Sequence, residues 1–486
     1  MAETKSLKKN SLFSFLNAFT TLIFPLITFP YASRILHPEG IGKVNFAVSI
    51  ETYFAMLAGL GIVSYATREA AKRRDNKFEL SKFCKEIITI NFISMVIAYG
   101  LMFAALFTVP KLEQYRVLIM VRSANIFFST IGLEWLYRAE EDFKYITLRS
   151  LIFKFSGLAF LFIFVKTEND TVAYTIFGIL TSVASNICNL IHSRKYIDYK
   201  LKCHLELKKH LKFIFIFFGM SVVTSLYNIL DTSFLGFLSN DRQVGYYAAA
   251  TKINRLVIGV LTAAASVLFP RLSYYIENNN IEKFNEVSEK SLSLMLLLSI
   301  PMTIGLIFLS KPFVMFFSGP DFLDAVPAMH IISPVVIAIG VGSITGAQIL
   351  PSLGKEKLSL VSYAIGGVTN ITINAILIPK YGAVGAAFGT LVAEYAVTIT
   401  QLIFLRRFVT KTLLKNLLQS ILCCIPMTGL LIVISLFIKN SVLCFLISGI
   451  TGVLCYALAL FLIKNSLFME FANSFINKFK KKKVEE

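Results

Sequence analysis

"SRILHPEGIGKVNFA" (residues 33–47) and "GFLSNDRQVGYYAAA" (residues 236–250) align when Gly42 is placed on Gly245. Each carries a short polar turn between two apolar runs and then returns to small and apolar residues. A second pair follows: "WLYRAEEDFKYITLRS" (135–150) and "ILPSLGKEKLSLVSYA" (349–364). The offsets, about 203 and about 214 residues, mark an internal repeat that spans most of the chain. With an even number of membrane crossings per copy, both copies keep one orientation. They are then related by an axis along the membrane normal, as in parallel-repeat transporters.

Composition explains why membrane crossings are the relevant unit. Of 486 residues, 56% are hydrophobic, and the mean hydropathy is +0.68. A soluble chain of this length needs far more polar surface, so the class is a polytopic membrane protein. The net charge of +19 would suggest nucleic acid in a soluble protein. Here it is a topology signal, because cytoplasmic loops collect Lys and Arg. Nucleic acid is therefore excluded as a partner. Seven cysteines form no CxxC pair and sit mostly in apolar segments, so neither a disulfide framework nor a metal site is expected. The N-terminal "MAETKSLKKN" leads into an apolar run too long for a signal-peptide core and is read as a retained first span.

A span needs about 20 apolar residues. Such stretches occur near 11–31, 43–63, 84–108, 116–138, 146–165, 171–191, 212–238, 244–269, 291–310, 326–349, 358–378, 383–405, 413–437 and 441–463. The expected fold is thus all-α, with about fourteen transmembrane helices. Two six-helix lobes (1–210 and 211–410) are followed by two further helices (411–465) and a basic tail (466–486). Basic runs such as "TREAAKRRDNKFELSKFCK" and "RKYIDYKLKCHLELKKHLK" follow the even-numbered spans, which places both termini in the cytoplasm. In the tail, Phe468, Phe471, Phe475 and Phe479 recur at helical spacing ahead of a lysine run, the pattern of an interfacial helix at an anionic leaflet.

Four stretches resemble one family. They are "SRILHPEGIGKVNFA", "EWLYRAEEDFKYITLRSLIFK", "LYNILDTSFLGFLSNDRQVGYYAAATKINR", and "NAILIPKYGAVGAAFGTLVAE" preceded by "LPSLGKEK". Together they are similar to the Wzx-type O-antigen and exopolysaccharide flippases, the polysaccharide-transporter branch of the MOP flippase superfamily. The likeness runs from residue 33 to 394, over twelve of the fourteen spans. It implies a non-enzymatic carrier in the bacterial cytoplasmic membrane. The implied cargo is an oligosaccharide on undecaprenyl pyrophosphate, moved from the cytoplasmic to the periplasmic leaflet by alternating access. Membrane lipids, and the polymerase and chain-length proteins of the same pathway, are the implied partners.

Charges within the spans supply the candidate site. An acid at a helix centre costs about 2.5–3.5 kcal/mol on insertion scales, so such groups face a cavity or a partner. Asp231 lies in span 7, and Lys252 and Arg255 share a face of span 8 behind the short "SNDRQ" turn. Arg34, Lys43 and Arg122 add cations in the first lobe. These five cations form the expected binding set for an anionic pyrophosphate, since Arg offers a planar fork and Lys a point charge. Glu51, Asp231 and Glu394 are the expected charge partners, or sites for Na⁺ or H⁺ coupling; Glu134 is a further acid within a span. Asp231 either clamps two helices as an ion pair or orients Lys252 or Arg255 toward a cavity. No cofactor is expected.

Two rival classes remain at this stage. A MATE-like cation-coupled antiporter shares the superfamily's fold but is expected to have twelve spans and acid-lined sites. A membrane-embedded polysaccharide polymerase would need a large outer loop or a clustered acidic motif. The longest outer loop here is short, and no HExxH, Walker A or DxD motif occurs.

Overall fold

Lipid offers no water to backbone groups, so apolar runs of this length close their hydrogen bonds within themselves as helices. The computed structural model describes residues 7–266, 268–408, 410–438 and 440–470. Among the described residues there are nineteen α-helices and no strand. Of the basic tail expected over 466–486, residues 471–486 lie outside them.

Contacts divide the chain into two units, Met1–Gly245 and Tyr246–Glu486. The first holds α1 (Leu7–Gly59), α2 (Ile62–Ala71), α3 (Lys77–Thr108), α4 (Arg116–Ile131), α5 (Glu134–Ala139), α6 (Phe143–Phe164), α7 (Thr171–His192) and α8 (Lys208–Leu238). α1 is two helices in succession. The chain leaves helical geometry at His37 (φ 55°, ψ 176°), the residue before Pro38, where proline disfavours the α conformation. α8 packs on α1 and α2.

The second unit begins within α9 (Asp241–Ser266). It continues through α10 (Phe269–Glu277), α11 (Ile281–Phe308), α12 (Ser310–Phe317), α13 (Val326–Ile332) and α14 (Val335–Ile344). A π-helical turn at Thr345–Ile349 leads to α15 (Leu350–Ser352). Then come α16 (Glu356–Tyr381), α17 (Ala383–Phe404), α18 (Lys411–Phe437) and α19 (Ser441–Leu462). Buried polar groups tie this unit together: Gln401 on α17 accepts from Thr345 at 2.6 Å and donates to Ser362 on α16 at 3.1 Å. Such bonds serve where packing has no hydrophobic drive between helices.

α3 shows Phe92, Ile93, Val96, Ile97 and Leu101 outward, while its buried side mixes large apolar residues such as Ile90, Met95 and Met102 with the polar Asn91 and Ser94. Apolar side chains on both faces are the pattern of a helix that also faces lipid.

The described parts of the fourteen expected spans are mostly helix, with interruptions in the second, fourth, eighth, ninth and tenth, near Leu60, Leu133, Leu268, Leu309 and Ser333. Ten helices among the described residues are long and apolar enough to cross a membrane. Fourteen crossings therefore stand as the reading of the sequence. At the break in the fourth span Leu133 takes a left-handed conformation (φ 49°) and α5 starts afresh at Glu134, whose side chain pairs with Arg138 at 2.7 Å and is 41% exposed. Glu134 thus stands at a helix start, paired within its own helix.

The repeat appears in the packing of its two junctions. A Cβ on Gly42 would stand 1.7 Å from the Asp241 carbonyl oxygen, and one on Gly245 would stand 2.0 Å from that of Pro38. Pro38 and Asp241 are related by the same offset as the two glycines, so the contact is reciprocal, as it is between like surfaces. Matching six-residue 3₁₀ turns, Pro110–Tyr115 and Pro320–Ala325, follow in the two copies.

Candidate functional site

The break in α1 turns its second arm so that Glu51 faces α4. Glu51 is 1% exposed, and both its oxygens are engaged. Arg122 Nη2 donates to Oε2 at 2.9 Å, and Asn125 Nδ2 donates to Oε1 at 3.1 Å. Arg122 and Asn125 are three residues apart on α4 and so lie on one face. A Cβ on Gly178 of α7 would stand 3.2 Å from Arg122 Nη1, so the glycine leaves the guanidinium its place. Arg122 Nε is buried and makes no hydrogen bond. The triad is therefore a neutralised pair that retains donor capacity. The sequence marks Arg122 as a cargo contact and Glu51 as a charge partner, and the structure brings these two together.

The remaining first-unit candidates have contacts of their own. Arg34 Nη1 donates to the Pro30 carbonyl at 2.6 Å, one turn back on α1. Lys43 pairs with Glu39 at 2.7 Å; its side chain is 39% exposed and that of Glu39 65%. Asp231 is buried on α8. Two residues on, Ser233 accepts from Tyr53 Oη at 2.9 Å and fastens α8 to α1. Lys154, near the start of the fifth span, donates to Thr21 at 2.9 Å and Thr20 at 3.2 Å on α1.

In the second unit, α9 carries Lys252, half-buried, and Arg255, exposed. Between them Asn254 is buried and donates to the Ala250 carbonyl at 3.1 Å. Glu394 is buried on α17. His330 meets Ser310 at 2.5 Å, a packing contact between α13 and α12.

Sequence reasoning missed a polar hub at the base of the first unit. Tyr65 Oη and His210 Nδ1 are 2.7 Å apart, and His210 Nε2 and Glu86 Oε2 are 2.8 Å apart. Glu86 Oε1 accepts from the Glu206 amide at 2.9 Å. Tyr65, His210 and Glu86 are 4%, 2% and 1% exposed, so the hub locks α2, α3 and α8 in a dry core beside Phe83 and Trp135. The one signal was a histidine within the basic run "LKKHLK", which reads as a solvated loop.

Outside the spans, Tyr115 Oη donates to Asp241 Oδ1 at 2.5 Å. Burial holds the acidity of both groups down, raising each pKa. This bond adds to the reciprocal glycine contact at the repeat junction.

Comparison with known proteins follows from this geometry. A family model described as "Polysaccharide biosynthesis protein" matches residues 7–276. A second, described as "MatE", matches residues 217–376. The chain is 25% identical over 407 residues to a protein of Escherichia coli (strain K12) named "Putative O-antigen transporter", covering 82% of this chain and 97% of that one. It is 25% identical over 298 residues to "Lipid II flippase MurJ" of Bacillus subtilis (strain 168), covering 57% and 52%. Among solved structures, "Lipid II flippase MurJ, inward closed conformation" superposes with a TM-score of 0.73 at 20% identity, covering 95% of this chain and 99% of that one. The helical architecture is thus shared along nearly the whole length of both chains.

Proposed function

From the premise that the chain belongs to the polysaccharide biosynthesis protein family, we propose that it is a flippase for a lipid-linked glycan. It is a multi-pass membrane protein of the MOP superfamily fold. The observation that carries the functional reading is the likeness to an O-antigen transporter across 82% of this chain. In this reading the cargo is an oligosaccharide on undecaprenyl pyrophosphate. It moves from the cytoplasmic to the periplasmic leaflet of the bacterial inner membrane, with both termini cytoplasmic. The chain catalyses no covalent step, and pathway polymerase and chain-length proteins take the product.

The charge chemistry is compatible with that cargo. A pyrophosphate needs cationic donors. Arg122, paired with Glu51, keeps a buried Nε without a hydrogen bond, and Lys252 and Arg255 share a face of α9. Arg34 and Lys43 on α1 are the further cations of the proposed set. Glu51, Asp231 and Glu394 then temper these charges or couple Na⁺ or H⁺.

The test is transport in proteoliposomes of the full chain with a fluorescent undecaprenyl-pyrophosphate oligosaccharide. Movement between leaflets is read by protection from an impermeant quencher. Protein-dependent movement is the expected result. A second reading, a cation-coupled small-molecule antiporter, draws on the MatE match over residues 217–376. Gradient-driven export of a cationic dye with no movement of the lipid would establish that reading and overturn the first.

A further inference from the structure

One motif from the repeat, "WLYRAEEDFKYITLRS", is not used by the transport reading. Tyr137, Tyr145 and Arg149 come from it, and they meet Asn189 and His192 of α7. Tyr145 and Arg149 are four apart on α6, and Asn189 and His192 are three apart on α7, so each pair shares one face. α6 and α7 pack as an antiparallel hairpin. The start of one and the end of the other lie on the same side, the side expected to be cytoplasmic.

The cluster is walled by aromatic rings. His192 stacks on Tyr145 at 4.2 Å and on Tyr137 at 5.7 Å, and the Arg149 guanidinium lies 5.5 Å from the Tyr145 ring centre. Tyr137 Oη donates to the Asn189 carbonyl at 2.5 Å. Arg149 is only 7% exposed and Asn189 is fully buried. Arg149 Nη1 donates to Asn189 Oδ1. Among the described residues no carboxylate lies within ion-pair distance of Arg149. The nearby Asp142 instead accepts from Tyr196 at 2.8 Å.

Three buried nitrogens in this cluster make no hydrogen bond, Arg149 Nε, Asn189 Nδ2 and His192 Nδ1, and Tyr145 Oη, turned toward the Arg149 guanidinium, has no acceptor for its proton. The guanidinium and amide nitrogens are obligate donors, and the phenol and imidazole can each donate. A buried guanidinium without a counter-charge is costly, because the ionic group has lost its water. A water molecule could accept one or two of these bonds but would leave the charge unpaired. An oxyanion answers both requirements, with several acceptor atoms and a negative charge matched to the planar guanidinium fork. We propose that Tyr145, Arg149, Asn189 and His192 form a buried site for a phosphate-class oxyanion at the membrane end of the α6–α7 hairpin. The second copy of the repeat carries Tyr363 where the first has Arg149, so the site belongs to the first copy alone. The site does not depend on the transport reading. Its phosphate could be that of a phospholipid headgroup, of a lipid-linked cargo or of the cytosol.

The test uses the purified full chain in maltoside micelles, which carry no phosphate. Inorganic phosphate is titrated against chloride at constant ionic strength, and the thermal unfolding midpoint is read. A ligand that binds only the folded state raises the midpoint progressively with its concentration. A rise with phosphate and none with chloride is expected. Asn189→Asp would place a carboxylate against Arg149, so its midpoint should no longer respond to phosphate. Tyr145→Phe, which removes one donor and keeps the ring, should weaken the response and guards against misfolding of the first variant. Adding phosphatidylglycerol or undecaprenyl pyrophosphate beforehand identifies the source. The one that abolishes the phosphate response is the natural occupant, and if neither does, free phosphate is. A wild-type midpoint indifferent to phosphate, or an undiminished response in both variants, would overturn the site.

Discussion

Replacing Glu51 by Gln keeps the shape of the side chain and removes its charge. In the structure both Glu51 oxygens accept hydrogen bonds, and the side chains of Glu51 and Arg122 are 2% and 12% exposed. The introduced amide would turn a donor toward Arg122 or Asn125 and leave the guanidinium buried without a counter-charge. Breaking a buried pair from one side costs about 3–5 kcal/mol. Against a total stability on the order of 5–15 kcal/mol, that is a large fraction. A wet pair would behave like a surface one, worth about 1 kcal/mol or less. The assay is the fraction of monodisperse protein after detergent extraction, together with its thermal midpoint. Glu51→Gln should lose most of its folded yield, and adding Arg122→Met should restore much of it, because the unpaired charge is then gone. A Glu51→Gln midpoint equal to wild type would refute the dry pair. Arg122 would then be solvated.

Three further outcomes are expected. Gly42→Ala or Gly245→Ala would set a methyl group against a backbone carbonyl that cannot swing away; each should lose at least about 1–3 kcal/mol in thermal stability, whereas Gly100→Ala and Gly367→Ala, with open space around them, should be neutral. His210→Phe would fill the volume but orphan the buried Tyr65 hydroxyl, costing about 1–3 kcal/mol, while Glu86 keeps Lys209 and the Glu206 amide; the variant should melt early, and unchanged melting would contradict the hub. Asp170 Oδ2 accepts from the amides of Lys166 and Thr167, which holds its pKa below the ordinary aspartate range; it stabilises the α6–α7 turn above the unfolded pKa, that contribution fades as pH falls through the depressed value, and Asp170→Ala should therefore remove part of the acid sensitivity seen in a midpoint-versus-pH series.

Some features of the site were legible and others were not. Glu51 and Arg122 stand out in the sequence because a charge inside an apolar run is costly wherever it lies. That they face each other was invisible, since they are 71 residues apart. The helix start at Glu134 was not legible, because a local event, the left-handed Leu133, ended the helix inside an unbroken apolar pattern. Arg149 escapes a sequence reading because it stands at the start of the fifth span beside a run of charges, while its partner Asn189 is 40 residues away.

By itself the sequence determined the helical class, the places of the spans, the repeat and its register. Each of these is a local or periodic property: apolar length sets a span, and a glycine with its turn recurs at a constant offset. Lipid enforces the outcome, because a backbone without water has no alternative to the helix. Only the tertiary structure decided which charges are neutralised and which polar atoms are left over. In an apolar medium a side chain's role depends on whether a distant helix brings it a partner, as α4 does for Glu51 and as no described carboxylate does for Arg149.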